Sequence, residues 1–133
     1  MLTSFKNFFL ILMLLPMSIS AFPMDYVGRW CGPVIIVYVE FDFKVNSFEE
    51  RTYASNNIQV GGTRGEFQLI GDAMHIHRTS EYRYDFDKLS GAWYPDEKNY
   101  VMRYMIQKDT IYLSPDTSDL IMELKQCGVM ALR

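Results

Sequence analysis

Side chains that alternate between apolar and polar at every second position can bury one face only as a β-strand, and long stretches of this chain alternate in that way. Within residues 34–45, Val39, Phe41, Phe43 and Val45 share one side, with Glu40, Asp42 and Lys44 on the other. Tyr82, Tyr84 and Phe86 alternate with Arg83, Asp85 and Asp87, which predicts a strand over residues 81–87 with an aromatic inner face. Tyr100, Met102, Tyr104 and Ile106 alternate with Val101, Arg103, Met105 and Gln107. A weaker strand is expected over residues 48–55, and a loop over residues 88–99 holding Gly91, Trp93, Tyr94 and Pro95.

Turn signals fix how these strands pair. Gly71-Asp72 is a two-residue hairpin loop that sets Ile70 opposite Ala73, Leu69 opposite Met74, Gln68 opposite His75, Phe67 opposite Ile76 and Glu66 opposite His77. A slip of one residue would mix polar and apolar neighbours, so the register is well specified. Lys108-Asp109 likewise pairs Ile106 with Ile111 and Tyr104 with Leu113. After a turn at residues 115–118, Leu120, Met122 and Leu124 are the expected inward residues of the last strand. The sum is an all-β chain of about eight short strands with hairpin-length connections: an antiparallel up-and-down β-barrel, whose closure would protect its two edge strands.

The ends of the chain add two constraints. Residues 1–21 carry Lys6, then the apolar stretch from Phe8 to Leu15, then Pro16 and the small cluster Ser18-Ile19-Ser20-Ala21. This order is that of a secretory signal peptide, with an apolar stretch shorter than the ~20 residues that span a bilayer as a helix. The expected mature part is one domain over residues 22–133, secreted or periplasmic, with no stable membrane span. Cys31 and Cys127 flank the first and last expected strands. In an oxidising compartment two cysteines form one disulfide, which here would tie the ends of the meander together. Neither belongs to a CxxC or has a neighbouring His, which argues against a metal or redox role. Lys6 is the leader's one charged residue, so the mature part has 12 basic and 16 acidic residues, scattered without a basic stripe. That distribution excludes the electrostatic footprint of a nucleic-acid binder.

Three segments carry a family resemblance over nearly the whole mature chain. Gly28-Arg29-Trp30 matches a Gly-x-Trp ahead of a first strand, residues 65–76 form the Gly-Asp hairpin, and residues 104–113 resemble a penultimate hairpin. Together they resemble the small lipocalin-like domains of the calycin superfamily. The resemblance implies that Trp30 plugs the barrel floor against a cation near the C-terminus, Lys125 or Arg133. The chain is shorter than a full lipocalin and shows no C-terminal helix.

Chemistry-bearing groups are few. Phe67, Met74, Tyr82, Tyr84, Phe86, Tyr100 and Tyr104 are the candidate lining of a cavity for a small apolar ligand. An eight-stranded barrel is wide enough either for such a ligand or for its own side chains, and both readings stand at this point. Trp93 and Tyr94, beside Pro95 and followed by Asp96 and Glu97, are the candidate anchors for a protein partner, as in an inhibitor or immunity protein. His75 and His77 share a strand face with Glu66 opposite His77, yet a solvated outer face explains them better than a metal site. No residue reads as an activated nucleophile, and the carboxylate pairs Glu49-Glu50 and Asp96-Glu97 alternate faces or sit in the loop. The expectation is therefore a binding protein that is not an enzyme, with no cofactor, no metal and no catalytic residue.

Overall fold

A computed structural model describes residues 19, 20 and 22–130. The strands are β1 (Ile19–Ser20), β2 (Gly28–Val34), β3 (Val37–Phe43), β4 (Ser47–Tyr53), β5 (Gln59–Ile70), β6 (Ala73–Asp85), β7 (Ser90–Gln107), β8 (Thr110–Pro115) and β9 (Met122–Gln126). A 3-10 turn, Met24–Tyr26, precedes β2, and one helical turn, α1 (Cys127–Met130), follows β9. From β2 to β9 every strand pairs antiparallel with its sequence neighbour, and β2 pairs with β9 through Trp30 with Gln126 and Cys31 with Lys125. The result is a closed, eight-stranded, up-and-down barrel. β1 lies outside that circuit, paired with the end of β5 through Ile19 with Ile70 and Ser20 with Leu69. The rest of the expected signal peptide lies outside the described residues, as does Arg133.

Closure needs two strands to come close at the seam. A side chain on Gly32 would strike the carbonyl oxygen of Glu123, so glycine lets β2 approach β9 here. The disulfide between Cys31 and Cys127 spans 96 residues and fastens the same seam. On the chain-entropy account a loop of ~100 residues contributes about 4.7 kcal/mol at most.

The connections after β3, β5 and β7 gather at one end of the barrel, which is filled. Phe22 is buried there, its ring stacked on Phe43 at 4.9 Å and edge-on to Phe67 at 5.5 Å. Trp30 is buried beside them and donates its indole N–H to the Tyr26 carbonyl at 3.0 Å. The floor plug implied by the resemblance is thus present, but its partner is not a cation among the described residues. The Tyr26 ring stacks on Trp30 at 5.7 Å, while Lys125 Nζ donates to Thr110 Oγ1 at 2.8 Å. Ile111, Leu113 and Leu124, fully buried, complete the core.

Several expected boundaries move. The stretch 34–45 is two strands, because Ile35 and Ile36 form a two-residue turn between Val34 and Val37. Gly28–Val34 is itself a strand, so Cys31 lies within β2 instead of ahead of the first strand. Val45 is exposed in the next turn, while Val39, Phe41 and Phe43 do face inward. Residues 81–87 are no separate strand: β6 runs unbroken from Ala73 to Asp85. Nor is 88–99 a loop, since Ser90–Gln107 is one strand with Trp93 opposite Tyr82 and Tyr94 opposite Glu81. Both hairpin registers hold, from Ile70 with Ala73 to Glu66 with His77, and in Ile106 with Ile111 and Tyr104 with Leu113. Met122 and Leu124 point inward, whereas Leu120 stays half-buried in the turn before β9.

Candidate ligand cavity

At the open end, where the connections after β2, β4, β6 and β8 gather, the filling stops short. A cavity of about 210 Å³ remains, lined by Val39 and Phe41 of β3, Phe48 and Glu50 of β4, Thr63 of β5, Tyr100 and Met102 of β7, Pro115 of β8 and Met122 of β9. Its depth is set by the phenylalanine stack: Phe41 packs on Phe43 at 5.4 Å and lies 6.3 Å from Phe48, which closes the cavity toward the floor.

Glu50 enters this apolar space because of strand phase. Phe48 is buried, so two residues on Glu50 and then Thr52 take the same face. Thr52 Oγ1 donates to Glu50 Oε2 at 2.6 Å. Burial pushes the Glu50 carboxyl up from its ordinary value, and the Thr52 hydrogen bond offsets only part of that. Its neighbour Glu49 faces outward, where Arg51 and Arg64 pair with it. Across the cavity, burial pushes the Tyr100 phenol up to about 12, with Arg78 working against the shift and Glu50 adding to it. Arg78 itself is spent on Asp96, Nη2 to Oδ2 at 3.0 Å. Asp96 also takes Arg83 at 3.2 Å, and its side-chain hydrogen bonding with Glu81, then with Arg78, holds it below the usual carboxylate range.

Of the seven residues expected to line a cavity, one does. Tyr100 is there; Phe67 and Met74 are buried in the closed-end packing. Tyr104 is also at that end, donating its hydroxyl to the Gly71 carbonyl at 3.1 Å. Tyr82, Tyr84 and Phe86 lie elsewhere, and a β-bulge is the reason. β6 pairs Arg78 with Gly65 and then Ser80 with Arg64, leaving Thr79 as an extra residue. One extra residue reverses the faces of everything beyond it, so Glu81 comes opposite Thr63 and Tyr82 opposite Gly62. Tyr82 and Tyr84 therefore turn outward, and Phe86 is 71% exposed in the turn joining β6 to β7.

The expected partner anchors sit on this outer face or its rim. Trp93 lies over Gly62, where a side chain would meet it, with the Arg64 guanidinium 3.9 Å from its ring centre and the Tyr82 ring edge-on at 5.4 Å. Arg83 lies 5.1 Å from the Tyr94 ring centre. His75 and His77 line a wide surface hollow with Glu66, Gln68 and Asn99, and His77 Nδ1 is 2.7 Å from Asn99 Oδ1. Among the described residues no three His, Cys, Asp or Glu side chains gather as for a metal ion.

The cavity residues that sequence reasoning missed are Glu50 and the apolar set around it. The signal was present: adjacent carboxylates in a strand must face opposite ways, and the inward phase of Phe48 selects Glu50. Comparison with known proteins finds no matching family model, no matching curated protein and no matching solved structure.

Proposed function

We propose that the protein is an exported, non-enzymatic binding module that holds one small, mostly apolar molecule in the open end of its barrel. The observation that carries this reading is the unfilled, apolar-walled cavity of about 210 Å³ in a barrel that is otherwise packed. An enclosed apolar space of ~150 Å³ is enough to take up benzene, and drug-sized pockets begin near ~300 Å³, so the occupant belongs between these sizes. On this reading the chain is a small lipocalin-like member of the calycin superfamily, as the Gly28-Arg29-Trp30 lead and the meander closed first strand to last suggest. A disulfide at the seam suits an oxidising compartment, which supports export.

A graded series of alkylbenzenes tests the function by ligand-observed NMR. Affinity is expected to rise with chain length and then stop once the cavity is full, and Thr63→Trp, which puts an indole where a small side chain lines the space, is expected to weaken binding strongly. Absence of binding across the series, or binding indifferent to Thr63→Trp, would overturn the reading.

A second reading moves the expected protein contact from Trp93 to the tip of the β6–β7 ribbon. Phe86 and Leu89 are 71% and 75% exposed there, beside Tyr84. A Phe86→Ala, Leu89→Ala double variant that still captures a stoichiometric partner would dispose of it.

A further inference from the structure

We infer that the molecule held in the barrel mouth carries a protonated amine, which Glu50 receives as its counter-charge beside an aromatic and apolar wall. This rests on the cavity being a binding site and adds the class of occupant.

Glu50 stands in the cavity with few partners. Its carboxyl group accepts one hydrogen bond, from Thr52, and no basic side chain acts on it among the described residues. The arginines nearest in the strand pattern are engaged elsewhere: Arg51 and Arg64 with Glu49 on the outer face, and Arg78 with Asp96 at the rim. A sheltered carboxylate without a counter-ion is unfavourable unless something pairs with it. Glu50 also occupies the part of the barrel that is not packed, so an incoming group can reach it.

The remaining wall selects among groups that might pair. An anionic head is repelled by Glu50. The rings of Phe41, Phe48 and Tyr100 line the same space, and an aromatic lining favours a cation over an anion wherever a ring turns its face to it. Met102 and Met122 supply soft apolar contact for the body of the molecule. A carboxylate, three aromatic rings and an apolar wall together fit an alkyl- or arylalkyl-ammonium ion.

Three probes of nearly equal shape separate the possibilities: phenethylammonium, phenethyl alcohol and propylbenzene, titrated at neutral pH into the full-length mature protein and into Glu50→Gln. The wild type is expected to prefer phenethylammonium over propylbenzene by about tenfold or more, the scale of a sheltered cation–π and ion-pair contact. In Glu50→Gln that preference is expected to disappear while propylbenzene binds as before. If propylbenzene binds and the ammonium ion has no advantage, the amine inference falls and the cavity function stands. A preference for phenethyl alcohol over both would mean that the group donates a hydrogen bond without charge, and also overturns the inference. If no probe binds, the cavity reading itself falls. The wild-type preference is decisive alone should Glu50→Gln not fold.

Discussion

Glu50 is a carboxyl held in an apolar space, and that has a consequence for stability whether or not a ligand is present. A carboxyl whose pKa is raised by folding binds its proton more tightly in the folded chain. Its favourable contribution is complete below the unfolded value of 4.5 and is lost as pH climbs through the raised folded value. Glu50→Gln keeps an oxygen to accept the Thr52 hydrogen bond and removes the charge. The variant is expected to be more stable than the wild type at neutral pH by about 1 kcal/mol, the scale on which sheltered polar groups cost stability, with the gain shrinking to nothing in acid. Urea unfolding at several pH values checks this; a variant less stable at neutral pH would contradict it. Asp96 behaves with the opposite sign, because its lowered value makes its contribution fade as pH falls through that value. Glu50 was legible in part, since Phe48 fixes the phase of its strand, but the cavity was not. Whether neighbouring side chains fill a space depends on how six strands converge, which no local pattern records.

Strands and turns were more legible where a short turn set them. Gly71-Asp72 and Lys108-Asp109 each leave one register that keeps apolar residues together, and both registers are observed. The bulge at Thr79 was hidden because Arg78-Thr79-Ser80 contains no glycine. Its glycine is on the neighbouring strand, where a side chain on Gly65 would collide with the His77 carbonyl oxygen. The first turn was hidden for another reason: Ile35 and Ile36 are β-branched, read as strand, and yet Ile35 adopts φ 57°. A non-glycine residue held in that region costs ~1–3 kcal/mol. Ile35 is 84% exposed, so its replacement loses little packing, and Ile35→Gly is expected to stabilise the protein by about 1 kcal/mol in denaturant unfolding. Trp93 makes the converse case on the outer face. Trp93→Ala removes the Arg64 and Tyr82 contacts and is expected to cost about 1–2 kcal/mol while leaving cavity ligands bound with unchanged affinity. A loss of ligand affinity in that variant would show that the outer face and the cavity are coupled.

At the scale of the whole molecule, the expected number of strands was right through two errors that cancel. The first expected strand is two, and the fourth and fifth are one. Closure itself was legible, because alternation supplies one buried face and the cysteines stand near both ends of the meander. The bond between Cys31 and Cys127 fastens β2 to the chain just past β9, so removing it loosens the seam that makes the sheet a barrel. A Cys31→Ala, Cys127→Ala double variant is expected to lose up to about 4.7 kcal/mol, measured by denaturant midpoint; a loss near zero would mean that the seam holds without it. On the proposed reading, this barrel is packed at one end and receptive at the other. Methionine methyl NMR tests it most directly, because Met102 and Met122 line the cavity, Met74 is sealed in the closed-end core and Met105 lies on the outer surface. Propylbenzene is expected to shift the methyl signals of Met102 and Met122 and to leave those of Met74 and Met105 in place. Signals that stay fixed at Met102 and Met122, or a shift confined to Met105, would contradict it.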